Sequence, residues 1–141
     1  MTGELTFVDT NVLVYAYDRR EGDKHLVARN LLVELWRDGT GSLSTQVLQE
    51  FYVTVTRKLV HPLPRSKARA LVRRYGQWVL LPILTEDVIA AAELEESEQL
   101  SFWDALIVTS AGRAGAQTIV SEDFQAGRQI LGIQIENPFT A

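Results

Sequence analysis

The sequence contains no cysteine, two histidines and four prolines among its 141 residues. The lack of cysteine excludes a disulfide framework, a thiolate metal site and a cysteine nucleophile. No segment approaches the roughly 20 apolar residues that a membrane-spanning helix needs. The first ten residues also lack the basic start and the long apolar run of a secretory signal. We therefore expect a protein that stays in the cytoplasm and does not enter a membrane.

The length and composition are those of an ordinary globular protein, with 46% hydrophobic and 23% charged residues. We expect residues 1–141 to form a single domain, because this length leaves little room for two. No internal repeat or low-complexity linker interrupts the chain.

The charges are unevenly distributed along the chain, although the net charge of −4 by itself does not favour binding to nucleic acid. Half of the 14 Lys and Arg residues lie between positions 57 and 74, where no acid occurs. Positions 82–104 contain seven acids and no Lys or Arg. One side of the molecule could therefore hold a polyanion, but two ordinary solvated helix faces would have the same pattern.

Short apolar segments alternate with helical patterns along the chain. The apolar segments predict strands at 5–8, 42–44, 78–81, 117–120 and 133–135. Helical periodicity and capping residues predict helices at 11–17, 23–37, 45–58, 66–75, 85–97 and 101–113. This alternation predicts an α/β fold with a parallel sheet and helices on both faces. In such sheets, ligands bind beyond the carboxyl ends of the strands.

Four acids are expected at that edge of the sheet. Asp9 directly follows the first predicted strand, and Asp123 comes shortly after the fourth. Glu50 lies in the helix after the second strand, beside its apolar stripe. Asp104 lies in the first turn of the helix that Ser101 opens. The four carboxylates are therefore predicted to approach one another.

Each acid also has a purely structural interpretation. Asp9 can cap the next helix, and Asp123 can occupy a turn. Asp104 can belong to a capping box, and Glu50 can pair with the basic residues at the end of its own helix. Convergence of all four on one edge favours a functional cluster over four separate structural roles.

Four close carboxylates raise one another's pKa unless a cation compensates their charge. Oxygen ligands without cysteine or histidine favour Mg²⁺ or Mn²⁺ over zinc. Such an ion can activate a water for attack on a phosphodiester, and two ions can also stabilise the leaving group. His25 and His61 have no partners at a recognisable spacing, so neither is predicted to be catalytic.

Four motifs resemble the PIN-domain family and, within it, the VapC toxins of bacterial toxin–antitoxin pairs. They are Phe-Val-Asp-Thr-Asn at 7–11, Ser-Thr-Gln-Val-Leu-Gln-Glu-Phe at 44–51, Phe-Trp-Asp-Ala-Leu-Ile at 102–107 and Ser-Glu-Asp-Phe at 121–124. The resemblance covers nearly the whole chain. Any one motif is common, but the four in this order and at these spacings are specific.

The resemblance implies a three-layer α/β/α sandwich with a mainly parallel central sheet. It also implies Mg²⁺- or Mn²⁺-dependent endoribonuclease activity, a homodimer, and neutralisation by a cognate antitoxin. The implied catalytic and metal-binding residues are Asp9, Glu50, Asp104 and Asp123. Glu122 remains an alternative to Asp123 as the fourth acid.

Further residues are assigned supporting roles. Polar side chains beside the acids are expected to orient carboxylates and waters around the metal; these are Thr10, Asn11 and Ser121. The basic segment is expected to contact the RNA backbone through Arg57, Lys58, Arg65, Lys67, Arg69, Arg73 and Arg74.

Two rival functions remain open at this point. A PIN-like domain can bind RNA or a protein without cutting, although the complete set of four acids does not favour this. Phosphatases of the haloacid-dehalogenase type also place an Asp after the first strand, but they have a second Asp two residues later, where this chain has Asn11. No Gly-rich loop follows the first strand, so a P-loop or Rossmann nucleotide site is a poor fit.

Overall fold

The computed structural model describes residues 3–125 and 127–140 of the chain. Within these residues, helices alternate with short strands, as the sequence predicts. The strands are β1 (Thr6–Val8), β2 (Gly41–Ser42), β3 (Thr118–Val120), β4 (Gln129–Ile130) and β5 (Ile133–Glu136). The helices are α1 (Thr10–Tyr15), α2 (Asp23–Asp38), α3 (Thr45–Arg57), α4 (Arg65–Tyr75), α5 (Thr85–Glu98) and α6 (Phe102–Ala114).

The strands form one sheet in the order β2-β1-β3-β5-β4. All neighbouring strands are parallel except β4, which pairs antiparallel with β5. Helices flank the sheet, with α5 packed against α6 and with α1 packed against α2 and α3. The predicted three-layer α/β/α sandwich with a mainly parallel sheet is therefore confirmed.

The central strands are apolar because helices cover both faces of the sheet. Phe7 and Val8 of β1 and Ile119 of β3 are almost completely buried. The chain reaches β2 on one side of β1 and later returns to β3 on the other side. The carboxyl ends of β1 and β3 therefore form the point at which the direction of the strand order reverses, where α/β sheets bind their ligands.

The six predicted helices are confirmed, with ends that differ by a few residues. The helix predicted to start with Thr45 as its cap is instead capped by Ser44, whose hydroxyl accepts a hydrogen bond from the Val47 N–H at 3.4 Å. None of the helices in the described ranges is long and apolar enough to cross a membrane.

The strand predicted at 78–81 is wrong. Gly76–Trp78 forms a turn of 3-10 helix, and Val79 makes only an isolated bridge to Leu43. Leu80 and Leu81 are 48% and 42% exposed, so this apolar run does not enter the core. A short apolar run does not by itself distinguish a strand from an irregular segment that is anchored at one end, and here Trp78 provides the anchor.

Strand β4 was not predicted. It joins β5 through a two-residue turn of Leu131 and Gly132, with φ angles of 53° and 77°. Two consecutive positive φ angles are typical of the tight turn in a β-hairpin. Leucine rarely adopts a positive φ, so the sequence lacks the usual signal for this hairpin.

Trp78 belongs to an aromatic cluster that closes the end of the sheet near β2. The ring centroids of Trp78 and Trp36 lie 4.6 Å apart, and those of Trp78 and Tyr75 lie 5.1 Å apart. The indole also lies directly against Gly41, where an added Cβ would come within 2.6 Å of it. A glycine is therefore required at position 41 by the close approach of a buried ring.

We predict that Gly41→Ala destabilises the protein by about 1–3 kcal/mol, the usual cost of overpacking a core. Trp78 cannot easily move because two aromatic rings hold it. Gly76→Ala is the matched control, since a Cβ there meets no atom within 4 Å and its φ is −56°. Urea unfolding of both variants measures the difference. Equal stabilities for the two variants would contradict this packing argument.

Candidate functional site

Asp9 lies one residue beyond β1 and is 4% exposed. Its backbone N–H donates to the Val120 carbonyl at 3.0 Å, which extends the pairing of β1 with β3. One carboxylate oxygen, Oδ1, accepts a hydrogen bond from the Thr10 N–H at 2.7 Å, and the other, Oδ2, accepts one from the Ser121 hydroxyl at 2.7 Å. Asp9 therefore does cap α1, and it also presents a buried carboxylate at the reversal point of the sheet.

Burial of this carboxylate raises the pKa of Asp9 from 3.8 to about 7. The hydrogen bonds from Ser121 and Thr10 favour the charged form and oppose this increase, whereas the charges of Asp123 and Asp104 add to it. Without a compensating cation, the site thus holds a carboxylate that resists ionisation.

Glu50 of α3 is half-buried and is held by two neighbours. The Thr10 hydroxyl donates to its Oε1 at 2.6 Å, and Gln46 Nε2 donates to its Oε2 at 3.4 Å. Among the described residues Glu50 forms no ion pair, so the suggested pairing with the basic end of its helix does not occur. Thr10 therefore links Glu50 to the start of α1, directly beside Asp9.

Gln46 is a site residue that the sequence analysis missed. It is 4% exposed, and its Nε2 also donates to the Trp103 carbonyl at 3.2 Å, next to Asp104. Its position four residues before Glu50 places it on the same helix face, which is the signal that could have identified it. Gln46 connects the helix that carries Glu50 to the helix that carries Asp104.

Asp104 lies in the first turn of α6, where its backbone N–H donates to the Ser101 hydroxyl at 3.1 Å. Of the capping box proposed from the sequence, the hydrogen bond from the Asp104 N–H to the Ser101 hydroxyl is therefore present. Burial raises the pKa of the half-buried Asp104 carboxyl, the charges of Asp123 and Glu50 raise it further, and a hydrogen bond with Ser101 lowers it. Gln46, which donates to Glu50 and to the carbonyl of Trp103, places Asp104 on the same side of the sheet edge as Glu50.

Asp123 lies in the loop after β3 and is exposed. Its backbone N–H donates to the Ser121 hydroxyl at 3.0 Å, and that same hydroxyl donates to Asp9. The charge of Asp123 raises the pKa of both Asp9 and Asp104. The structure therefore brings the four predicted acids to one edge of the sheet and gives Ser121 a bridging position between two of them.

Within the described residues, the Glu122 side chain contacts α1 and α2 and not the other acids. The Tyr15 hydroxyl donates to its Oε1 at 2.5 Å, and Lys24 forms an ion pair with its Oε2. Burial alone would raise the pKa of Glu122, but the hydrogen bonds from Lys24 and Tyr15 hold it below its usual value. Its backbone N–H donates to Asn11 Oδ1 at 3.2 Å. Glu122 thus anchors the loop after β3 to α1 and α2.

Tyr15 and Lys24 were missed because about a hundred positions separate them from Glu122, and no local pattern predicts such a contact. Asn11, which was predicted to support the acids, uses its carbonyl oxygen to hold the loop. Its side-chain amide nitrogen is buried and has no hydrogen-bond partner among the described residues. Buried polar atoms are normally satisfied, so this amide is a candidate donor to a water or a ligand at the site.

The donor set suits a hard divalent cation. All four acids offer oxygen, and the desolvated Asp9 gains most from a nearby positive charge. No three His, Asp or Glu side chains in the described ranges are close enough together to enclose a metal ion by themselves. This is compatible with Mg²⁺, which keeps several waters and often uses only one or two protein carboxylates.

The predicted RNA-binding residues of the basic segment do not form one surface. Lys67 and Arg74 line a cavity between α2 and α4. Arg69 and Arg73 line a mostly apolar groove between α4 and α3. The helix thus directs its basic side chains to two faces, and their contact with RNA remains a prediction.

One known protein family matches most of the sequence of this chain. The sequence profile described as "PIN domain" matches residues 6–128. The matched range contains Asp9, Glu50, Asp104 and Asp123. No curated protein sequence is similar enough to this chain to match it.

Solved structures with a similar fold include two DNA-bound VapBC proteins and one toxin, VapC20. VapBC2 from Rickettsia felis, bound to a fragment of promoter DNA, matches with a TM-score of 0.64 and 20% identity over 94% of this chain and 98% of that chain. DNA-bound VapBC from Salmonella typhimurium matches with a TM-score of 0.64 and 19% identity, over 96% and 99%. VapC20 from Mycobacterium tuberculosis, a toxin that cleaves the sarcin–ricin loop, matches with a TM-score of 0.60 and 22% identity, over 84% and 89%.

We predict that the Asp9 carboxyl destabilises the metal-free protein increasingly as the pH rises from about 4 to 7. The raised pKa means that folded Asp9 still holds a proton in this range, whereas the unfolded chain has released it. Asp9→Asn removes this destabilisation, which lowers the unfolding free energy of the wild type by on the order of a few kcal/mol above pH 7. Urea unfolding of both proteins in EDTA across this pH range tests the effect. If the difference in unfolding free energy between wild type and variant does not change with pH, ionisation of the buried Asp9 carboxyl does not destabilise the protein.

Proposed function

This chain belongs to the PIN domain family, and on that premise we propose that it is a metal-dependent endoribonuclease. The observation that carries the proposal is the convergence of Asp9, Glu50, Asp104 and Asp123 at the carboxyl ends of β1 and β3. This is the edge at which an α/β sheet binds its ligand.

The proposed metal ligands are Asp9, Asp104, Glu50 and Asp123, directly or through water, with Mg²⁺ or Mn²⁺ as the ion. An ion held by these carboxylates would supply Lewis-acid chemistry, namely polarisation of the phosphodiester and activation of a water for hydrolysis. The chain itself supplies the fixed positions of the carboxylates. Catalysis depends on this preorganisation, because charges held in place need not rearrange during the reaction.

Hydroxyl groups fix the orientation of the acids in this proposal. Ser121 holds one oxygen of Asp9, and Thr10 holds one oxygen of Glu50. Each of these bonds leaves the other lone pairs of the carboxylate available to a metal or to water. Such supporting contacts typically change metal affinity or activity by 10- to 100-fold when they are removed.

The phosphatase alternative has little support in the site. The residue two positions after Asp9 is Asn11, and its side chain holds the Glu122 backbone. An amide cannot transfer a proton as the second aspartate of that mechanism would. A PIN-like domain that binds RNA without cutting it remains the more relevant alternative, and the activity test below decides between them.

The proposed biological role is that of the toxin of a toxin–antitoxin pair. The similar fold of VapBC2 and VapBC, both complexes with DNA, and of the toxin VapC20 supports this role. On this proposal the protein acts in the cytoplasm, forms a homodimer and is inhibited by a cognate antitoxin. RNA is its substrate.

We predict that Asp9→Asn reduces Mg²⁺-dependent cleavage of RNA at least 100-fold while the protein stays folded. Asparagine has the same shape but cannot hold the cation by charge. Asp38→Asn, at the exposed end of α2, removes an equal charge far from the site and is expected to retain full activity. The assay follows cleavage of a labelled mixture of cellular RNAs, with Mg²⁺ or with EDTA.

Identical purification of wild type and both variants controls for contaminating nuclease. Full cleavage by Asp9→Asn, or cleavage by wild type in EDTA, would refute the proposed site. Folded wild-type protein that binds RNA but does not cut it with Mg²⁺ or Mn²⁺ would favour the non-cutting alternative.

We also predict that Asp123, and not Glu122, is the fourth acid. Asp123→Asn should raise the Mg²⁺ concentration for half-maximal cleavage at least tenfold, because Asp123 acts on both Asp9 and Asp104. Glu122→Gln should leave this concentration nearly unchanged and lower the unfolding free energy only slightly, since its ion pair with Lys24 is partly exposed. The opposite pattern in the two Mg²⁺ titrations would assign the role to Glu122.

A further inference from the structure

A cavity of about 640 Å³ lies between α2 and α4 and is bounded by the turn that follows α1. We call it the basic cavity because five basic side chains line it: Arg19, Arg20, Arg29, Lys67 and Arg74. One carboxylate also lines it, Asp18, whose Oδ1 caps the 3-10 turn by accepting a hydrogen bond from the Arg20 N–H.

The cations of the basic cavity lack the partners that usually balance such a cluster. In the described part of the chain, the basic residues that form ion pairs are Lys24, Arg37, Arg113 and Arg128, none of which lines the cavity. The chain as a whole has a net charge of −4, so this concentration of positive charge is local. A concave site lined by charges of one sign focuses the field and attracts a ligand of the opposite sign.

Aromatic side chains form part of the wall. Trp36, Tyr17 and Tyr75 line the basic cavity, and the Arg74 guanidinium lies 5.1 Å from the centre of the Trp36 ring. The Tyr17 and Tyr75 hydroxyls lie 2.7 Å apart and hydrogen-bond to each other. Tyr75 is 2% exposed and closes the base of the cavity, whereas Tyr17 and Trp36 are half-buried and Arg74 is exposed. Cations beside partly exposed aromatic rings and a guanidinium group are a combination that binds single-stranded nucleic acid, in which phosphates and bases alternate. An acidic protein segment would need the charge but not the flat surfaces.

The basic cavity is close to the acids in the fold. Helix α1 begins directly after Asp9, and Ala16, the residue after its end, already lines the cavity. Six helical residues extend about 9 Å at 1.5 Å per residue. This separation is within the span of an oligonucleotide a few residues long.

We propose that the basic cavity binds the single-stranded RNA segment that flanks the phosphodiester held at Asp9. This inference rests on the proposed ribonuclease function and adds a binding site to it. The cavity holds the phosphates through Arg29 of α2 and Lys67 of α4 on its two walls. The RNA is thereby held at a second point apart from the metal site.

Binding by the Asp9→Asn protein in EDTA tests the proposal without cleavage. The probe is a fluorescein-labelled oligouridylate of 12 nucleotides, and its anisotropy is followed at several salt concentrations. Arg29→Gln and Lys67→Gln should each raise the Kd at least threefold and reduce the slope of log Kd against log salt by about 0.7, as expected for one lost phosphate contact. Arg37→Gln, two turns further along α2 and outside the cavity, should change the Kd less than twofold.

Equal weakening by Arg37→Gln would show that only overall charge matters and would overturn the proposal. A 12-residue polyglutamate peptide that displaces the RNA at equal or lower concentration would assign the cavity to an acidic protein partner instead. All three substituted side chains are exposed, and thermal unfolding checks that the variants fold. If wild type does not cut RNA with Mg²⁺ although the cavity substitutions still weaken RNA binding, the proposed ribonuclease function is wrong and the RNA-binding cavity is supported.

Discussion

The buried carboxylate of Asp9 is the constraint on which the site depends. Its backbone continues the pairing of β1 with β3, so its side chain cannot leave the reversal point of the sheet without disrupting the central strands. Desolvation makes its negative charge costly, and the nearby acids increase this cost. On the proposed function, a cation at this sheet edge would offset that cost, and it would lie where parallel α/β sheets bind their ligands.

The surrounding contacts keep the acids apart from the basic groups that would neutralise them. Ser121 and Thr10 hold two of the carboxylates with neutral hydroxyl groups. The nearby lysine, Lys24, is engaged by Glu122, together with the Tyr15 hydroxyl. Glu122 anchors the loop through this ion pair, and the position of the adjacent Asp123 is fixed separately by the hydrogen bond from its N–H to the Ser121 hydroxyl. The neighbouring acids Glu122 and Asp123 therefore differ in their surroundings. Glu122 is paired with a lysine and anchors the loop, whereas Asp123 is exposed and suited to metal binding.

Much of this arrangement follows from local sequence patterns, and some of it does not. Apolar runs that end in an acid predict both β1 and the position of Asp9, since strand direction and the edge rule connect them. The bridge from Glu122 to Tyr15 and Lys24 depends on contacts between residues far apart in the chain, which no periodicity reveals. The turn at Leu131 was not predicted, and the strand predicted at 78–81 was wrong, because tertiary packing overrides the local preference of these residues. Gln46 is an intermediate case, because its helical spacing to Glu50 is visible but its burial is not.

The most direct test of this account is to soak crystals of the protein in Mn²⁺ and locate the ion by its anomalous scattering. We expect an anomalous peak for Mn²⁺ within coordination distance, about 2.1 Å, of a carboxylate oxygen of Asp9, with Asp104 or Asp123 bound directly or through water. We also expect the peak to disappear in crystals of Asp9→Asn. An ion that binds only elsewhere, for example on the acidic helix α5, or a peak that persists in the variant would contradict the account.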